Sequence, residues 1–415
     1  HSFPTRRSSD LLVVSTDDDD WELCKVEEFY DFKNGLNKEK EFFGSGVPIV
    51  NFVDVFHNRG LTPEMLKGRV TLSKKEIKNF EVKQGDIFFT RTSETINEIG
   101  YPSVMLGVPT DTVFSGFVLR GRARSVDPMD NLFKRYVFFT ESFRNEMVKK
   151  SSMTTRALTS GTAIKEMYVQ YPSSKDEQHK IGAFLAQIDD TIALHQRELD
   201  QLKELKKAYL QLMFPVKDER VPKLRFADFE GEWEQCKFFD MWEKSSDRNK
   251  ELKYSSKDVL SVAKMTKNPV ERNSSDEYMK TYNILHYGDI AFEGNKSKDY
   301  SFGRFVLNNL QDGIVSHVFI VFKPKVKMDI DFMKVYINNE YFMKHHLVKA
   351  TTKTLMMTTL NVQDMNKQKL RIPSLNEQER IGKFFKELDH AITLHQNKLT
   401  QLKSLKKSYL QNMFI

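Results

Sequence analysis

Residues 176–214 read DEQHKIGAFLAQIDDTIALHQRELDQLKELKKAYLQLMF, and residues 376–414 return as NEQERIGKFFKELDHAITLHQNKLTQLKSLKKSYLQNMF. At an offset of 200 positions, 22 of the 39 residues are identical without a gap. A period of half the chain describes a duplicated half-molecule, not a solenoid of short repeats. Whatever this chain folds into must use one plan twice.

Each copy reads as a long helix. Neither contains Pro, and the single Gly of each (Gly182, Gly382) lies near its start. The interiors are Leu, Lys, Gln, Glu and Ala, all good helix formers. Apolar residues recur through Ile181, Leu185, Ile188, Ile192, His195, Leu199 and Leu202, and Leu205, Tyr209 and Leu212 continue after an extra three-residue step. The second copy matches with Ile381, Phe385, Leu388, Ile392, His395, Leu399, Leu402, Leu405 and Tyr409. Such spacing predicts a coiled-coil seam, with the three-residue step as a local stammer. At about 1.5 Å per residue each helix spans nearly 60 Å. The simplest partner for each is the other copy, antiparallel across an intervening domain; packing on its own domain or on another subunit is the alternative. His195 and His395 read as seam polar residues that fix register, with a metal or switch role as the competing reading.

The 415 residues are enough for two or three domains. Lys plus Arg exceed Asp plus Glu by 64 to 57, an excess that permits nucleic-acid binding without requiring it. No apolar run approaches the ~18 residues of a membrane span, and no secretory signal is visible. Two cysteines supply no disulfide framework, and a cytoplasmic location is expected. Residues 1–11, HSFPTRRSSDL, have no counterpart in the second half and read as a non-native, adapter-like segment.

The duplication continues faintly outside the helices. Trp21-Glu22-Leu23-Cys24-Lys25 echoes Trp233-Glu234-Gln235-Cys236-Lys237, which places one structural cysteine in each half. Gly85-Asp86-Ile87-Phe88-Phe89 echoes Gly288-Asp289-Ile290-Ala291-Phe292, a Gly-Asp turn entering a strand. Further strands are expected at 47–50, 113–119, 315–322, 167–172 and 370–373, and helical segments at 132–150 and 331–349. The expected architecture is therefore two mixed α/β (α+β) domains and two long helices forming an antiparallel coiled coil, related by a pseudo-twofold duplication. Residues 12–175 form the first domain, 176–214 a spacer helix, 215–375 the second domain and 376–415 a second spacer helix.

Catalytic signatures are missing. There is no GxxxxGK[ST], no GxGxxG opening a helix, no HExxH, paired CxxC or GxSxG. Phe43-Gly44-Ser45-Gly46 is one glycine frame away from the methyl-donor loop of methyltransferases, and Glu81-Val82-Lys83 is a common triplet in a Lys- and Glu-rich chain. Catalytic residues and metal ligands are accordingly expected to be none.

Binding chemistry is better represented. The polar stretch after each Gly-Asp strand carries Arg91, Thr92, Ser93 and Asn97 in one half, and Asn295, Lys296, Lys298 and Arg304 in the other. Thr-rich basic segments add Thr154, Thr155 and Arg156, and Lys349, Thr351 and Lys353. Hydroxyl, amide and guanidinium groups contact phosphates, and Arg and Asn also read base edges. For any single residue, an ordinary solvated loop is an equally good account; the occurrence of similar loops in both halves favours the set.

With these features together, the chain resembles the DNA-specificity subunit of type I restriction–modification systems. The resemblance rests on the domain–helix–domain–helix order, the EQ-x-x-I-G-x-F helix starts (177–184 and 377–384), the L-x-x-L-K-K-x-Y-L-Q-x-M-F ends (202–214 and 402–414), and PKLRF…EW before the second half. It implies two target-recognition domains, each reading half of a bipartite double-stranded DNA site. It further implies helices that set the spacer and dock two methyltransferase subunits, with restriction/translocase subunits able to join. The resemblance implies a non-catalytic chain without its own cofactor, the methyl donor, ATP and Mg binding to partner subunits. A coiled-coil scaffold that binds only protein, or a stand-alone DNA-modifying enzyme, are the competing readings.

Overall fold

The computed structural model describes residues 21–267, 275–295, 297, 299–353 and 357–414. It divides into two compact units, His1–Leu194 with Leu399–Ile415, and His195–Lys398. Each unit holds one α/β domain, the start of the long helix that follows it and the end of the other long helix.

Both domains are built on the same sheet order. In the first, Tyr30–Asn34, Val118–Ala123, Ile87–Thr90, Pro102–Met105 and Gly60–Leu61 lie side by side in that sequence. In the second, Trp242–Lys244, Ile320–Pro324, Ile290–Glu293 and Arg304–Leu307 repeat the first four places. The Gly-Asp turns explain the matching entry to the central strand. Gly85 and Gly288 sit at φ +85° and +91°, a region open mainly to glycine. Asp86 accepts the Lys83 N–H at 2.7 Å and Asp289 the His286 N–H at 2.9 Å, closing each turn. The strands holding the two cysteines, Trp21–Lys25 and Glu234–Lys237, pair antiparallel with Tyr168–Pro172 and Lys369–Ile372.

Several expected elements are subdivided. The 113–119 strand is two, Val113–Phe114 and Val118–Ala123, separated by a turn in which Val118 N–H donates to the Ser115 carbonyl. The 315–322 strand likewise divides into Gly313–Val315 and Ile320–Pro324, with Phe319 N–H donating to the Ser316 carbonyl. Hydrophobicity runs through both turns and hides them. The helical segments are pairs, Asn131–Val137 with Glu141–Lys150, and Ile330–Ile337 with Glu340–Ala350. Asn338 ends one helix and Asn339 caps the next, its side chain accepting from the Tyr341 and Phe342 N–H groups.

The long helices run Lys175–Leu212 and Leu375–Asn412, 38 residues each. Their repeated first residues tie each to its own domain. Gln178 is fully buried; its amide donates to the Pro128 and Pro172 carbonyls, and its oxygen accepts from Asp130 N–H at 2.6 Å. Gln378 repeats this with the Pro373 carbonyl and Asp329 N–H. Gly182 lets the helix press on the backbone of Leu132 and Phe133, where a Cβ would stand 2.5 Å away. Gly382 does the same against Phe332 N, also at 2.5 Å. Glu377 is buried under Arg225, whose Nε and Nη2 each donate at 2.7 Å, and Trp233 Nε1 donates to it at 3.2 Å.

The helices pair antiparallel in both units. In the second, Tyr209 packs edge-on against Phe384 at 4.9 Å; in the first, Tyr409 meets Phe184 in the same way at 4.9 Å. The terminal phenylalanines of the repeat enter the domain cores. Phe214 packs against Trp233, Phe332 and Phe385, and Phe414 against Trp21 and Phe133. Ile181, Leu185, Ile188, Leu199, Ile381, Phe385, Leu388 and Leu399 are buried, while Ile192, Leu202, Ile392 and Leu402 are half-buried.

The expected three-residue step does not occur. Leu205 and Leu405 are 43% and 44% exposed. The seam keeps its heptad by passing from Leu202 to Lys206 and Tyr209. Lys206 donates to Asp389 at 2.6 Å, and Lys406 to Asp189 at 2.5 Å. A seam position occupied by lysine is invisible to a search for apolar residues. Among the described residues, no helix is long and apolar enough to cross a membrane.

Candidate nucleic-acid interface

In each domain the two polar segments singled out above meet. In the first, Thr92–Ser93 forms a strand edge against Ala157–Leu158, which itself pairs with Ser152–Met153. The Ser/Thr-rich segment is thus a hairpin, with Thr154, Thr155 and Arg156 at its exposed tip. Thr159 N–H donates to the Arg91 carbonyl at 3.1 Å, and Arg156 reaches Glu94 at 3.1 Å across the two segments. Arg91 N–H donates to the carbonyl of Phe117, an aromatic residue 58% exposed. Phe117 has no polar group, so a search for hydrogen-bonding side chains passes over it.

The second domain repeats the convergence. Thr351–Lys353 and Thr358–Leu360 form a hairpin, and Thr358 N–H donates to the Gly294 carbonyl at 2.8 Å. Asn295 bridges to Met357. Gly294 permits this approach, since a Cβ there would lie 2.1 Å from the Thr358 carbonyl oxygen. Lys296 and Lys298 lie outside the described residues.

The expected contact residues do not share one environment. Thr154, Thr155, Arg156, Asn97, Asn295, Lys349 and Lys353 are exposed, and Arg91 and Thr92 are half-buried. Ser93 is buried, its hydroxyl accepting from Thr95 N–H at 3.2 Å. Thr351 donates to the Leu347 carbonyl at 2.7 Å and ends a helix. Arg304 lies against Tyr300, donates to Glu293 at 2.7 Å and to the Ala263 carbonyl at 2.7 Å, and is committed to holding its loop. The Arg156–Glu94 pair is well exposed, so releasing Arg156 to a phosphate costs only about 0–1 kcal/mol. Chemically, each surface offers hydroxyls, amides and cations beside a hairpin, the groups that grip a polyanion and read base edges.

The duplication thus gives two domains of like sheet order, each with a polar hairpin surface and each followed by a long helix. The chain belongs to the family described as type I restriction modification DNA specificity domain, whose model matches residues 18–204 and 230–404. A relative from Methanocaldococcus jannaschii, the type I restriction enzyme MjaIX specificity subunit, is 23% identical over 195 residues. That match spans 45% of this chain and 42% of the relative. The solved S subunit of a type I restriction–modification system from M. genitalium superposes with TM-score 0.59 at 13% identity, covering 97% of this chain and 98% of that one. A chain solved in work on complex assembly and conformational transition of the type I R-M system gives TM-score 0.50 at 12% identity over 94% and 96%. At these identities the structural likeness is one of fold.

Proposed function

We propose that this chain is the non-catalytic sequence reader of a type I restriction–modification complex. Each domain reads one half of a bipartite, asymmetric double-stranded site. The paired helices set the unread spacer and seat two methyltransferase subunits, with which restriction/translocase subunits join. The methyl donor, ATP and Mg bind those partners.

One observation carries the reading. In both domains two sequence-distant polar segments converge on a single exposed hairpin surface, built on the same sheet order but from different side chains. Like scaffolds with different surfaces suit one task performed on two targets. The helices, by contrast, keep 22 of 39 residues, as two equivalent seats for identical partners require. Each correctly read base pair contributes about 1–3 kcal/mol of discrimination, so a rare site needs more pairs than one hairpin surface can span.

The experiment is methylation mapping in a host expressing this chain with its methyltransferase partner. A gapped motif with two unlike halves is expected. A continuous motif, or none, would overturn the proposal.

A further inference from the structure

The middle of the helix pair holds a cluster that sequence-specific recognition does not use. His195 and His395, equivalent residues of the two repeats, face each other with Nδ1 atoms 3.3 Å apart. Glu198 Oε2 lies 3.1 Å from His195 Nδ1 and 3.3 Å from His395 Nδ1. Both imidazoles are 23% exposed and the carboxylate 40% exposed, so the cluster is sheltered yet open to ions.

We propose that His195, His395 and Glu198 form a divalent transition-metal site that clips the two long helices together, with Zn2+ its best-matched occupant. The first argument is size. Bonds of about 2.0–2.1 Å at tetrahedral angles hold neighbouring ligand atoms about 3.3–3.4 Å apart. The three atoms here are separated by 3.1, 3.3 and 3.3 Å, which is one face of such a tetrahedron. The fourth position is left for water.

The second argument is ligand chemistry. Two neutral imidazoles and one carboxylate are a donor set suited to zinc, whereas an all-oxygen set would suit Mg2+ or Ca2+. Duplication supplies an imidazole from each helix, but only one carboxylate, because the residue equivalent to Glu198 is Lys398. The equivalent imidazoles meet at one place, so the site has three protein ligands. The third argument is linkage. A ligand set completed only when two helices lie side by side binds metal only in the paired state, so metal stabilises that pairing. The register role expected of these histidines becomes a metal-dependent one.

The test titrates Co2+ into the chelator-treated full chain, followed by displacement with Zn2+. One equivalent is expected to give the intense visible bands of a four-coordinate ion, bleached by stoichiometric Zn2+, with a metal-dependent rise in melting temperature. His395→Ala should weaken binding at least about 100-fold, since even outer-shell losses cost 10–100-fold. Glu198→Gln keeps a side chain of the same size, and should also weaken metal binding while leaving the helical circular dichroism unchanged. Equal affinity in wild type and both variants would overturn the site, as would a weakly coloured six-coordinate Co2+ spectrum. The cluster would then be a hydrogen-bonded triad alone.

Discussion

Lys206 on the first long helix donates to Asp389 on the second at 2.6 Å, and the duplication repeats the contact as Lys406 with Asp189. Each lysine takes a seam position where a coiled coil ordinarily places an apolar side chain. These pairs are open to solvent at one side, so each contributes roughly 1 kcal/mol. Asp389→Asn is expected to lower stability by about that amount in denaturant titration. Lys206→Met with Asp389→Leu should restore it, because an apolar pair can fill the seam without desolvation cost. If the double variant is weaker than the single, the lysine is not a seam residue.

Glycine at the third turn position of each long helix makes an opposite prediction to helix propensity. Alanine ordinarily stabilises a helix interior by about 1 kcal/mol over glycine. At Gly182 the added methyl would meet the Leu132 and Phe133 backbone at 2.5 Å. Gly182→Ala is therefore expected to destabilise by about 1–3 kcal/mol, the range for overpacking. A rise in melting temperature would contradict the packing described.

The carboxylate of Glu377 anchors the second helix start to Arg225 and holds that guanidinium above its usual range. Both side chains are largely buried. Removing one partner of such a pair costs about 3–5 kcal/mol. Arg225→Met should show that loss by calorimetry, and a change below 1 kcal/mol would mark the pair as incidental.

Burial holds the His346 imidazole down to about 4, from an ordinary 6.5. Between those values the unfolded chain takes up a proton that the folded chain refuses. Stability contributed by this site is therefore present above about pH 6.5 and declines toward pH 4. His346→Gln should flatten that part of the stability–pH curve, measured by urea titration at several pH values; an unchanged slope would assign the decline to other groups.

The long helices were legible from the sequence nearly to the residue, because Pro is absent and apolar spacing persists over many turns. Their capping serines, Ser174 and Ser374, each accept the N–H three residues on at 3.4 Å. What escaped was any position where polarity and burial disagree. Lys206 is polar yet in the seam, so Leu205 stood in for it. Ser115-Gly116 turns the chain inside an apolar run, so two strands read as one. The polar loops were identifiable, but Ser93, Thr351 and Arg304 turned out to serve their own backbone or loop. Ser93 and Thr351 are taken up by groups two and four residues away and Arg304 by the distant Ala263 carbonyl, so the folded backbone decides which polar residue is free.

That distinction predicts different phenotypes for two arginines. Arg156→Ala should weaken binding of the assembled complex to all DNA sequences and reduce the salt slope by about 1 if it contacts a phosphate. A loss confined to the cognate site would mean base reading instead. Arg304→Ala should lower the melting temperature before it alters specificity.

The central claim is that two independent readers are held apart by the paired helices. It is tested most directly by methylation mapping after one heptad is added to the middle of each long helix. Seven residues at about 1.5 Å lengthen the pair by about 10 Å, or about 3 base pairs. The account predicts both half-sites unchanged and the unread spacer longer by about that number. Methylation that persists with an unchanged spacer, or a change in the bases of either half-site, would contradict it.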